Sequence, residues 1–348
     1  MSIPLTSAMP LQFLIVRLGS LGDIVHGLPV AASLRGSFPD AHLDWLVDAR
    51  HRAILDLVSI LDRRIAVRAS VRGFFDAMRT LRQRRYDAVL DLQGLWKSAI
   101  LARASGAARV IGFQSPHLRE PGAQMFYSET CGVVSGPHVI QKNLSLLRTL
   151  GLDSSKFIVQ FPLDVPQSPV VTEVYRRLSI REGHPFALLN PGAAWPNKRW
   201  PAERFGQLAA AIARRHNLVS AVLWGPGEES LAEAVVACSD GTAVVVPRTS
   251  LADLVALTHA ARLLIAGDTG PMHIAWAVGT SVVGLFGPTD PMRNGPWAST
   301  DVSLSRYADC SCRYQRRCHR ASACLPEIRL DEVLQAVDQR LAVIPAHA

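Results

Sequence analysis

The chain has 348 residues, 49% of them hydrophobic and 19% charged, with 37 basic against 29 acidic side chains and a formal net charge of +8. That length suits two domains, each with its own core, and the apolar content argues against extended disorder. Apolar runs such as 208–213 and 243–246 fall far short of the ~20 residues a spanning helix needs. There is no basic run interleaved with aromatics and no helix-turn-helix or zinc-finger spacing, so anionic small molecules or a membrane surface are expected as partners rather than nucleic acid.

Taken in chain order, 13–18 reads as a buried strand and is followed by Gly19-Ser20-Leu21-Gly22-Asp23 and a helix to about Leu34. A second strand at 42–47 and a helix over 50–58 complete a βαβ unit. A basic helix closes over 79–85, a strand follows at 86–92, and Gln93-Gly94-Leu95-Trp96-Lys97-Ser98 opens the next helix. A short strand is read at 110–113. Asp164-Val165-Pro166-Gln167-Ser168-Pro169 has linker chemistry and marks a domain boundary.

Beyond it the alternation resumes, with strands at 186–190, 220–224 and 244–246 and helices over 201–216 and 228–238. Leu263-Leu264-Ile265-Ala266 leads into Gly267-Asp268-Thr269-Gly270-Pro271-Met272-His273 and then to Val282-Val283-Gly284-Leu285-Phe286. Strands alternating with helices throughout predict α/β architecture, two Rossmann-like, doubly wound parallel-sheet domains facing a ligand cleft. The domains are placed at 1–165 and 166–328, with a cysteine-rich segment at 310–324. A helix within 329–348 carries Leu330, Val333, Leu334, Val337 and Leu341 on one face.

The loops at the strand ends carry the candidate chemistry. Gly19 to Asp23 lacks the G-x-G-x-x-G spacing of a dinucleotide site, which weakens any NAD reading. Asp23 fits either a general base or the N-cap of a helix starting at Ile24, and His26 is a second candidate base or a helix-face histidine. Lys198, after Asn190-Pro191-Gly192-Ala193-Ala194, suits a diphosphate or a solvated surface. The pair Glu228 and Glu229 could accept from ribose hydroxyls or complement a helix dipole. At Gly267 to His273 a helix start with open amides suits phosphate, or is an ordinary turn.

In combination these pieces resemble a known family. Gly22-Asp23, Asp91-Leu92-Gln93-Gly94-Leu95-Trp96-Lys97-Ser98, Arg119-Glu120-Pro121, Lys198-Arg199-Trp200-Pro201, Asp268-Thr269-Gly270 with His273, and Gly287-Pro288-Thr289-Asp290-Pro291 look like the lipopolysaccharide heptosyltransferases, most of all heptosyltransferase I. The resemblance implies a GT-B fold, ADP-heptose as donor, a Kdo-lipid A type anionic acceptor, inversion at the sugar carbon and no cofactor or metal required for catalysis. It makes Asp23 the base. Lys198, Glu228, Glu229, Thr249, Asp268, Thr269, Gly270 and His273 become donor-binding, and Arg17, Arg68, Arg72 and Arg119 acceptor-binding. Some relatives carry threonines where Ala193 and Ala194 stand, so a phosphate contact there falls to backbone amides. By the same analogy the C-terminal helix packs back on the domain junction.

Cys310, Cys312, Cys318 and Cys324 lie within fifteen residues. Their C-x-C-x5-C-x5-C spacing lacks paired knuckles and is read either as a structural zinc or iron site or as free thiols. Residues 1–10 hold no basic start followed by an apolar core, so a cytoplasmic location is expected, peripheral on the inner face of the cytoplasmic membrane. Two rival readings stay open: a heptosyltransferase with a later core sugar or a protein hydroxyl as acceptor, and a non-catalytic nucleotide-sugar or metal-sensing protein.

Overall fold

The computed structural model describes residues 10–133, 136–153, 156–319 and 324–343. The chain divides into two compact units, Met1–Asp164 and Val165–Ala348. In the first unit, β1 (Gln12–Val16), β2 (His42–Asp48), β3 (Arg63–Val67), β4 (Ala88–Asp91), β5 (Arg109–Phe113) and β6 (Glu129–Cys131) build one sheet. Every pair is parallel and the order is β3-β2-β1-β4-β5-β6. The second unit holds β7 (Ala187–Asn190), β8 (Ser220–Val222), β9 (Ala243–Val245), β10 (Leu263–Gly267), β11 (Ser281–Phe286) and β12 (Val302–Ser305). These are also all parallel, in the order β12-β11-β10-β7-β8-β9.

Counted from its own first strand, the second sheet has the same order as the first. In both, the winding reverses between the first and fourth strands, β1 and β4 in one unit and β7 and β10 in the other. Loops leaving those two strands turn to opposite faces, and the crevice they open is where doubly wound sheets bind ligands. The α/β reading with two Rossmann-like sheets holds.

The central strands are apolar on both faces. Phe13 to Val16 and Leu263 to Ala266 are all buried, as expected for strands covered by helices on each side. Edge strands are different. β3 begins with Arg63 and Arg64 and β6 with Glu129, none of them buried, and polar residues on an edge discourage pairing with other chains. They carry no apolar run, so the sequence pattern passes over both.

The first predicted helix is broken into Leu21–Val25 and Leu28–Ser37, with Pro29 in the first turn of the second piece. Proline fits there because its missing amide has no partner in a first turn. The C-terminal helix Leu330–Ala342 packs Val333, Ala336 and Val337 into a core with Leu263, Ile265, Val283 and Leu285. Arg340 Nε donates to Asp301 Oδ1 at 2.7 Å. Val333, Ala336 and Val337 of this helix thus belong to the second unit's own core. No described helix is long and apolar enough to cross a membrane.

Candidate active site

In the first unit the Gly19–Asp23 loop leaves β1 at the reversal point. The helix starts at Leu21, with Ser20 as its N-cap and Asp23 in its first turn. The N-cap reading of Asp23 is therefore corrected. One carboxylate oxygen, Oδ2, accepts from the Ser20 amide and from the Ser20 hydroxyl, both at 3.0 Å. The other, Oδ1, sits 2.6 Å from Arg17 Nη2, with the Asp23 side chain 30% exposed and that of Arg17 9%. Arg17 Nη1 in turn donates to the Leu92 carbonyl at 2.6 Å. Arg17 is thereby engaged in orienting the carboxylate, at the position where the sequence places an acceptor contact.

Two residues outside the predicted set shape this corner. Gln93 Oε1 accepts from the Leu18 amide at 2.7 Å and so ties the ends of β1 and β4. His51 lies so close to Gly19 that a Cβ there would stand 2.7 Å from its Cδ2. Burial holds the His51 imidazole below its ordinary value, against the opposing pull of the Asp48 and Asp23 carboxylates. His51 is far from Asp23 in sequence and no local motif marks it. His26 is buried within the first unit, its ring 5.6 Å from that of His138.

Buried Asp91 orders the neighbouring loop. It accepts from the Ser98 hydroxyl at 2.9 Å, the Tyr127 hydroxyl at 2.8 Å, and the amides of Gln93 and Gly94 at 2.9 and 3.2 Å. Burial raises its carboxyl despite those donors. Glu120 Oε2 accepts from the Trp96 amide at 2.6 Å, which docks the Arg119-Glu120-Pro121 segment on the start of the helix carrying Lys97. Arg68 and Lys97 line a cavity of about 230 Å³ with Arg50, Ser70 and Phe74. Arg72 and Arg119 are exposed.

The second unit builds its site at the matching reversal point. Lys198 Nζ stands 2.7 Å from Asp268 Oδ2, and His273 Nε2 is 3.0 Å from Oδ1. Burial alone would raise the Asp268 carboxyl, but the His273 hydrogen bond and the Lys198 charge outweigh it and hold the group far below the carboxylate range. With its side chain 6% exposed, Asp268 faces its two partners, and it acts here by fixing Lys198. Asn190 Nδ2 donates to Thr269 Oγ1 at 3.0 Å, joining the ends of β7 and β10. Thr269 is the N-cap of the helix Gly270–Ala277, with Pro271 in its first turn. The open amides of that first turn are an anion-binding end.

The remaining predicted residues fall nearby with distinct roles. Glu228 accepts from Arg199 Nη2 at 3.1 Å and from the Gly225 amide at 3.1 Å, which closes the Gly225–Gly227 loop. A Cβ at Gly192 would meet Glu228 Oε2 at 2.0 Å, so glycine there leaves room for the Glu228 carboxylate in this position. Glu229 is exposed at the first turn of its helix, and Thr249 is half-buried just before the helix Leu251–Ala260. Asn190 and Arg199 complete this network and are absent from the predicted set. Both sit inside quoted motifs, but neither residue type announced a role.

Cys310, Cys312 and Cys324 are buried together and Cys318 packs against them. Burial, reinforced by Cys310, pushes the Cys324 thiol up to about 12. The His319 amide donates to Cys312 Sγ at 3.2 Å. Among the described residues no group of three or more His, Cys, Asp or Glu side chains is placed to hold a metal ion. What the segment does touch is the loop before Lys198: Asn197 Nδ2 donates to the Gln315 carbonyl at 2.9 Å.

Two six-stranded parallel sheets of one winding order match the GT-B fold of solved heptosyltransferase structures. The chain belongs to glycosyltransferase family 9 (heptosyltransferase), whose family model matches residues 74–323. It is 28% identical over 324 residues to lipopolysaccharide heptosyltransferase 1 of Pseudomonas aeruginosa, covering 88% of this chain and 87% of that protein. A family 9 glycosyltransferase from Veillonella parvula shares the fold with a TM-score of 0.83 at 22% identity, over 97% of this chain and 99% of that one. A structure of E. coli heptosyltransferase WaaC with ADP-2-deoxy-2-fluoro heptose shares it with a TM-score of 0.74 at 22% identity, over 94% and 99%.

Proposed function

We propose that the protein transfers heptose from ADP-heptose to Kdo on a lipid A precursor in lipopolysaccharide inner-core synthesis, with inversion at the sugar carbon. The observation that carries this reading is the Asp23 carboxylate, fixed on one oxygen by Arg17 and on the other by Ser20, yet still exposed to solvent. In the reaction it takes the proton of the acceptor hydroxyl as that oxygen bonds to the anomeric carbon. The bond from that carbon to the diphosphate breaks on the opposite side, and ADP leaves. Lys198 and the amide end of the helix Gly270–Ala277 stabilise the charge that develops on the leaving oxygen.

The heptose specificity is supported by the family and by the sugar nucleotide bound to the E. coli relative. The Kdo-lipid A acceptor is supported by the Asp91–Ser98 and Arg119–Pro121 motifs and by the basic cavity lined by Arg50, Arg68 and Lys97. A cytoplasmic protein working at the inner face of the membrane is the setting this substrate requires. Incubation of purified protein with ADP-heptose and Kdo-lipid A should give a product heavier by one heptose, with the anomeric configuration inverted by NMR. Transfer only to a later core sugar or to a protein would replace the acceptor; transfer to none would favour the non-catalytic reading.

We further propose the cysteine cluster as a structural zinc or iron site. Its support is that the four cysteines pack together, in a segment whose Gln315 carbonyl accepts from Asn197 beside Lys198, so that ligation would need the sulfurs to draw closer than they stand here. Ligation requires thiolates, so a thiol as high as Cys324 must lose its proton on binding. Metal analysis of protein purified without chelator should find about one zinc or iron per chain; a metal-free, fully active preparation would remove the proposal.

A further inference from the structure

The helix Val71–Leu81 buries Gly73, Ala77 and Leu81 on one side. Phe74 and Met78 lie against the same core. Its other side is unusual for a solvent-facing helix. Val71 is 77% and Phe75 61% exposed, and the two are one turn apart, so they form a single apolar ridge. Arg79 continues that line by another turn, and exposed Arg72 stands beside it. Between residues 68 and 85 the sequence carries six arginines and a single acidic residue, Asp76. That aspartate lies 3.7 Å from Arg79. Arg82 and Arg84 are turned back to the Ala104 carbonyl and the Gln12 side chain, leaving four exposed arginines, Arg68, Arg72, Arg79 and Arg85, on this segment.

We propose that this ridge is a membrane-docking surface for an anionic phospholipid bilayer. Two protruding apolar side chains flanked by arginines match the interface of such a bilayer, where acyl chains begin just beneath a layer of negative headgroups. A folded protein partner would be expected to present acidic side chains and a larger apolar area, and the ridge offers only two side chains to bury. The position of the helix adds an independent argument. It starts directly after β3, and its leading loop, Arg68 to Ser70, forms a wall of the basic 230 Å³ cavity that Phe74 also lines. The side chain next to Phe74 in sequence is the outward-facing Phe75. An amphiphile whose acyl chains remain in the bilayer therefore has its charged sugars presented beside that cavity. In this respect the inference rests on the proposed acceptor, while the docking itself does not.

The test is sedimentation of the full chain with vesicles of phosphatidylethanolamine and phosphatidylglycerol, against vesicles of phosphatidylcholine alone. The wild-type protein should partition at least about tenfold better into the anionic vesicles, and the preference should shrink as salt is raised. Val71→Ser/Phe75→Ser should lose about tenfold of that binding with an unchanged melting temperature, and Arg79→Glu a similar factor. The double variant should also transfer heptose about tenfold more slowly to acceptor embedded in vesicles, and at the wild-type rate to a de-acylated, water-soluble acceptor. Equal binding by wild type and double variant overturns the proposal, as does a self-association seen by ultracentrifugation that the double substitution abolishes. Vesicle binding without transfer to any acceptor would overturn the proposed reaction and leave the docking surface standing.

Discussion

Each half of the molecule places an aspartate beside a cation at the reversal point of its sheet, and the two pairs differ in one property. Asp23 has 30% of its side chain open to solvent, whereas Asp268 has 6%. The Asp23 carboxylate is gripped by one guanidinium and one serine, so it is held in one orientation with an edge still accessible to a substrate proton. Asp268 is itself buried, with buried His273 on one oxygen and partly buried Lys198 on the other. A carboxylate held far below its usual range is a poor base, and the contact it makes fixes the Lys198 ammonium in place. The same fold thus makes an open carboxylate in one unit and a closed one in the other, by burial and by the kind of partner each oxygen has.

The sharpest way to break this contrast is Asp23→Asn. It removes the proton acceptor and should slow heptose transfer by about 10²–10⁴-fold while donor binding stays near wild type. Steady-state rates with donor affinity by calorimetry would check it. Near-normal transfer would mean that the open carboxylate is not the base. Asp268→Asn should do the reverse and act first on stability. It leaves the Lys198 ammonium largely buried without its charge partner, which costs about 3–5 kcal/mol. Urea unfolding measures this, and a loss under about 1 kcal/mol would show that the pair is dispensable.

How much of this was readable beforehand follows the same division. The glycine loops, the strand ends and the carboxylates themselves stand in local motifs, so Asp23, Lys198 and Asp268 were all marked by sequence. What was not legible is which partner each one takes. Arg17 lies six positions before Asp23, on the end of a strand whose apolar run hides its polar tip. Lys198 and Asp268 are 70 residues apart, and only the parallel pairing of β7 with β10 brings their loops together. Strand β3 escaped notice because two of its five residues are arginines, and with it went the start of the helix that follows. The C-terminal helix was found correctly by its periodicity, yet periodicity states that a face is apolar and not what covers it.

Smaller substitutions sharpen the comparison at the residues that join the central strands. Asn190 in the second unit is buried and donates to both Thr269 Oγ1 and the Gly192 carbonyl. Gln93 in the first unit is half-buried and accepts a single amide hydrogen bond from Leu18. Asn190→Ala should therefore cost about 2–3 kcal/mol, because groups left behind are closed to water, and Gln93→Ala about 1 kcal/mol. Paired denaturation curves test the ranking. A larger loss at Gln93 would place the more rigid reversal point in the first unit, opposite to what the burial implies.

Acid dependence gives the finest resolution, because the two buried aspartates shift in opposite directions. Asp268 has a depressed folded-state value, so its stabilisation is fully present above the unfolded value near pH 3.9 and is lost as pH falls through the folded one. Asp91 is raised, so its penalty is felt as pH rises through its folded value and relieved on acidification. Lowering the pH from 7 towards 3 should therefore reduce the stability difference between wild type and Asp268→Asn, by up to about 1.4 kcal/mol for each pH unit below the unfolded value. The corresponding difference for Asp91→Asn should move the other way, towards greater stability of the wild type, until both folded and unfolded forms are protonated. Other carboxylates titrate in the same window, but they titrate alike in wild type and variant and cancel in the difference. A gap for Asp268→Asn that stays constant down to pH 3 would show that its carboxylate draws no net stabilisation from Lys198 and His273, and the distinction between the two units would then rest on exposure alone.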